Sequence, residues 1–179
     1  MLQTPTRNIL LALVACLYLA APGLSAPESF TTDKSSPLKL SKPGKDPDAP
    51  VRFDGQVDIS GRFQLEWKFI ARDRGHLFAL FFPDKESVGL LPYAAGSRPV
   101  EELLLSNSEE AVAMLLEPAT AQRMLAKDLP DAEGEATVTI RDYRVVVECD
   151  QRWYMARLVA AARIEKRVAG VRQKSSPGC

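Results

Sequence analysis

Between Val51 and Trp67 the apolar residues Val51, Phe53, Val57, Ile59, Phe63, Leu65 and Trp67 all fall on odd positions, and every even position from Arg52 to Lys68 is polar. Successive side chains of an extended chain point to opposite faces, so this segment is a strand with one buried face and one wet face. Strands average about five or six residues, so one of this length must bend. Gly55 and Gly61 both fall on the inward face, where a missing side chain lets a strand kink. The phase is unbroken across Gly61, which predicts one long coiled strand rather than a hairpin.

The turn Arg72-Asp73-Arg74-Gly75 then leads into His76 to Phe82, an apolar run on both faces that ends at Pro83 and reads as a central strand. A connection marked by Gly89, Pro92, Gly96 and Pro99 precedes Val100 to Leu105, which fits a short strand or a first helical turn. Ser106-Asn107-Ser108-Glu109 has capping-box spacing and predicts a helix through Leu116. Pro118 starts a second helical stretch to Leu129, with Met124 and Leu125 facing in. Ala136, Val138 and Ile140 alternate again, and after Asp142 the phase flips to Tyr143, Val145, Val147 and Cys149, the mark of a bulge or tight turn. Trp153 to Ala160 is the last expected strand.

This order predicts an α+β fold: long kinked strand, strand, short strand, helix, strand, strand, the sequence of elements in a small antiparallel OB-like barrel. The alternative is an open antiparallel sheet packed on one or two helices. The expected domain is 51–160. Residues 27–50 carry Pro27, Pro37, Pro43, Pro47 and Pro50 with few apolar groups, and read as a disordered Pro/Lys/Ser-rich linker. Residues 161–179 read as a basic tail, half-helical at most because Gly170 interrupts the stripe of Ile164, Val168 and Val171.

The N-terminus gives an address. Arg7 precedes an uncharged apolar run from Ile9 to Ala21, followed by the breaker Pro22-Gly23 and the small residues Ser25 and Ala26, the layout of a secretory signal peptide over 1–26. The run is too short for a transmembrane helix, which needs about 20 apolar residues. Leu13-Val14-Ala15-Cys16 also resembles a lipobox, so Cys16 is a candidate lipidation site. The expected location is periplasmic or secreted, or lipid-anchored to the bacterial envelope. In an oxidising compartment Cys149 and Cys179 are a candidate disulfide, worth about 3 kcal/mol by the chain-entropy model.

The 23 basic and 23 acidic residues, a pI near 6.6 and 7% aromatic content give neither the field nor the stacking platforms of a nucleic-acid binder. Metal sites want clustered His or Cys, whereas His76 is alone and no C-x-x-C occurs, so no metal and no cofactor are expected. A Cys149–His76 dyad is disfavoured by the core-facing phase of Cys149. There is no G-x-S-x-G and no phosphate-binding glycine loop.

Two functional expectations follow. The first is an exported, non-catalytic interaction module taking a protein, peptide or glycan partner. Its candidate binding residues are Phe78, Leu91, Tyr93 and Arg98, from the second strand and the segment 83–99. The second is a small periplasmic hydrolase with a carboxylate site among Asp54, Asp58 and Glu66 on the wet strand face. Membrane contact would come through an acylated Cys16 or through the tail residues Arg163 to Lys174 on anionic lipid.

Overall fold

The computed structural model describes residues 29–42, 49–71, 74–148 and 151–169 of the 179-residue chain. It is a sheet-rich α+β fold with a seven-stranded sheet, a separate two-stranded sheet and two helices. The alternating segment forms β3 (Val51–Asp54) and β4 (Gln56–Ala71). The division falls at Gly55, which adopts φ +107. A Cβ there would stand 2.7 Å from the Pro37 carbonyl oxygen, so the break is set by a crossing chain as well as by the turn. The inward phase is as read: Phe53, Val57, Ile59, Phe63 and Leu65 are all buried.

β5 (Arg74–Pro83) folds back on β4. Its far edge takes the three-residue β7 (Leu103–Leu105), which resolves the choice between strand and helical turn. β8 (Asp131–Glu148) and β9 (Gln151–Ala169) complete the pairings. These run β4 to β5, β5 to β7, β7 to β9, β9 to β8, and β8 back to β4. All are antiparallel apart from β7 with β9. The phase flip is a bulge, with Asp142 at φ 53 and a register shift against β9 between Arg141 and Arg144.

Helices α1 (Ser108–Leu115) and α2 (Pro118–Leu125) lie between β7 and β8 in the chain. They bury Ala111, Val112, Leu115, Ala121 and Met124, and meet the Trp67 end of β4 through Trp67 Nε1, which donates to the Met124 carbonyl at 2.8 Å. The capping box does not form: Ser106 is turned to β9, and Asn107, which takes the cap position, makes no side-chain cap bond because it too is turned to β9. Ser106 Oγ donates to the Ala156 carbonyl, while Asn107 donates to the Leu158 carbonyl and accepts from the Leu158 N–H. Asn107 also donates to Glu110 and, with Arg157, holds that carboxyl below its ordinary pKa. Met124 is buried as expected, but Leu125 points out at 41% exposure.

Two boundaries differ from expectation. Residues 29–42 of the supposed linker are a strap: β1 (Phe30–Thr31) pairs with β6 (Tyr93–Ala94), and β2 (Lys39–Leu40) pairs with β3. Leu38 is 4% exposed, and Phe30 meets Phe53 edge-on with 5.4 Å between ring centroids. Backbone bonds and a few well-placed apolar groups order it despite its composition. Residues 161–169 of the supposed tail extend β9, because β8 offers residues 132–138 as partners along that edge and Ile164 packs on the core.

At the Phe53 end the core closes on Tyr143, fully buried, whose hydroxyl donates to the Pro92 carbonyl at 2.6 Å. Burial, and then the neighbouring Tyr154, push its phenol well above the ordinary pKa. Among the described residues no helix is long and apolar enough to cross a membrane.

Candidate functional site

Residues paired across strands share a face, so the register shows what the outer surface carries. Phe78 and Leu80 stand two apart on β5, and Leu80 pairs with Leu104 of β7. Leu104 pairs with Met155 of β9, two residues from Trp153, and Trp153 pairs with Val146 of β8. The opposite phase, Ala79, Phe81, Leu103, Leu105 and Ala156, is buried in the core. Four neighbouring strands thus carry an apolar strip on the side away from the core, in which Leu80 is itself buried while Phe78, Leu104, Met155 and Trp153 stay at least partly exposed. Such a face is ordinarily polar, and a contiguous apolar run there is the informative exception.

The strip ends in a cleft of about 400 Å³ whose lining includes Arg98, Glu101, Glu102, Leu104, Arg152 and Trp153. Trp153 is 42% exposed. Val147, 58% exposed, lies on the opposite face of the same ribbon, since it pairs with Arg152. At the other end Lys68 Nζ sits 5.0 Å from the Phe78 ring centroid and 2.8 Å from Glu66. Large apolar side chains rimmed by charge, with one exposed tryptophan, are the composition of an interaction surface.

Of the four binding residues named from sequence, Phe78 and Arg98 lie at the two ends of this strip and its cleft. The other two do not join them. Leu91 is fully buried in the core, just after the 3-10 turn Val88–Leu90, because the Gly/Pro-marked segment folds inward onto the core. Tyr93 belongs to the strap contact: its hydroxyl donates to Asp33 at 2.7 Å, and that bond, with some desolvation, raises its pKa. Leu104, Met155 and Trp153 were not named. Their signal was present as strands apolar on both faces, which reads as double burial until the register shows one face without a cover.

The acids of the hydrolase expectation stand apart. Asp54 lies beyond the Gly55 break, Asp58 accepts from the Thr139 hydroxyl, and Glu66 pairs with Lys68. Asp58 and Glu66 are separated by about 26 Å of extended strand at the usual rise per residue, too far for shared proton chemistry. His76 is exposed at the start of β5. No group of three His, Cys, Asp or Glu that could hold a metal ion occurs among the described residues. Cys16, Cys149 and Cys179, with the signal segment 1–26, lie outside the described residues, as do the lipidation, disulfide and dyad assignments that depend on them.

Comparisons with protein-family models, with curated proteins and with solved structures find no match.

Proposed function

We propose that this chain is an exported, non-catalytic interaction module of the bacterial envelope, built as an OB-like barrel that takes a protein or peptide partner on the outer face of β5, β7 and β9. The apolar strip from Phe78 to Trp153 carries the proposal, because Phe78, Leu104, Met155 and Trp153 face away from the core and stay at least partly exposed, which is best explained by a partner that covers them. Aromatic, Leu and Met side chains match apolar residues of a polypeptide better than the hydroxyls of a glycan.

The barrel assignment is supported by the circuit of pairings, by the parallel contact of β7 with β9, and by helices placed between the third and fourth strands of that circuit. Strands two and three of such barrels, here β5 and β7, carry the binding face. Export is supported by the order of basic residue, apolar run, breaker and small residues at the N-terminus. A periplasmic or secreted location follows, or a lipid-anchored one if Cys16 is acylated.

The test places a photo-reactive benzoylphenylalanine at position 78 or 153 of the full exported chain, with position 125 on α2 as control. Illumination of intact cells is expected to give adducts of defined mass from 78 and 153 and none from 125. The absence of adducts at 78 and 153, or the same adducts from 125, overturns the proposal.

A further inference from the structure

A second concavity opens on a different stretch of the outer surface, where β4, β5, β8 and β9 bend together. It has a volume of about 520 Å³, and its lining includes Ser60, Arg62, Asp84, Glu135, Arg163 and Glu165. Two backbone features create it. Gly61 lets β4 close on β5, since a Cβ there would stand 2.2 Å from the Phe82 carbonyl oxygen. On β9, residues 163–165 bulge against the single residue Ala136, between the pairs Thr137 with Ala162 and Glu135 with Lys166.

Within that bulge Arg163 takes φ 49, a left-handed conformation that side-chain-bearing residues seldom adopt. The bulge turns Ile164 onto the core and places Arg163 and Glu165 at the cleft. Bulges recur beside functional sites because they re-aim side chains in this way. The Ser60 and Thr137 hydroxyls, 2.8 Å apart, also line the cleft. Arg62 is held against the wall, 4.1 Å from the Phe82 ring centroid and 3.7 Å from Glu133. One oxygen of Asp84 accepts the backbone N–H groups of Glu86 and Ser87.

The chemistry of the lining selects the ligand by sign. Two guanidinium groups and three carboxylates line the cleft. The carboxylates repel an anion, the guanidiniums repel a cation, and an apolar ligand would strip water from the exposed Arg163 and Glu165 without replacing its hydrogen bonds. A vicinal diol does replace them, because each hydroxyl donates to a carboxylate and accepts from a guanidinium. The geometry points to a binding site for a neutral oligosaccharide in this cleft, formed by Arg163, Glu165, Glu135, Asp84 and the Ser60–Thr137 hydroxyl pair. Its volume falls in the range of small-ligand sites, roughly 300–1,000 Å³.

The test is a printed array of neutral hexose and N-acetylhexosamine oligomers alongside uronic-acid oligomers, probed with the purified protein and followed by amide NMR titration with the best neutral oligomer. Saturable shifts are expected at Phe82, Thr137 and Arg163. Arg163→Gly relieves the left-handed backbone while removing the guanidinium, so it is expected to keep the melting temperature and to weaken binding about tenfold or more. Thr137→Val is expected to weaken binding in the same direction. Trp153→Ala, on the apolar strip, should leave saccharide binding unchanged, which separates this site from the polypeptide surface. The site is overturned if no neutral oligomer is retained, if uronic-acid oligomers bind better than neutral ones, or if Arg163→Gly binds as tightly as the parent.

Discussion

Tyr143 shows how much of the Phe53 end of the core depends on one side chain. Its ring stacks on Tyr154 with 6.4 Å between centroids and meets Phe53 edge-on at 5.4 Å, while its hydroxyl reaches the Pro92 carbonyl of the loop that closes this end. Replacing it with Phe keeps the ring and leaves a buried carbonyl without its donor, so Tyr143→Phe is expected to lose about 1–3 kcal/mol of unfolding free energy. Tyr143→Ala also opens a cavity and should lose more, about 3–5 kcal/mol. Urea denaturation of the two variants checks both values. A Phe variant as stable as the parent would show that the bond contributes nothing net. The sequence placed Tyr143 on an inward phase but not against Pro92, because periodicity reports which face a residue takes and not which distant loop meets it.

At the scale of elements, the legible features were those written as a local period. The alternation from Val51 to Trp67 and the flip at Asp142 each came from side chains two apart, and each appears as a buried face or a bulge. The strap was hidden because it is held mainly by backbone bonds, such as Lys34 N–H to the Gly89 carbonyl and Ser41 N–H to the Arg52 carbonyl, which leave no mark on composition. Its apolar anchors are Phe30 and Leu38, too few to outweigh the prolines in any windowed measure. The strap is therefore expected to carry stability that a loose linker would not. Leu38→Ala should cost about 2–5 kcal/mol in urea denaturation, as for other buried leucines, whereas the exposed Leu40→Ala should change stability by less than about 0.5 kcal/mol. Equal small effects at both positions would return the segment to the status of a spacer.

Over the whole molecule, the core and the proposed interaction surface use the same strands with opposite phases. β5, β7 and β9 send Ala79, Phe81, Leu103, Leu105, Ala156 and Leu158 inward, and the intervening residues supply the strip. That double use explains why the surface was only half visible in sequence: Phe78 and Arg98 were named, while Leu104, Met155 and Trp153 were not, because only the register between distant strands brings them together. The formal net charge of zero gives no long-range steering, so the proposed surface relies on shape and apolar contact. The most direct measurement is hydroxyl-radical footprinting of Phe78, Met155 and Trp153 in intact cells and in the purified protein, with Leu40 and Leu125 as references. The account predicts that the three strip residues are oxidised several-fold more slowly in cells while the references react equally in both settings. Equal oxidation of the strip in cells and in isolation would contradict it.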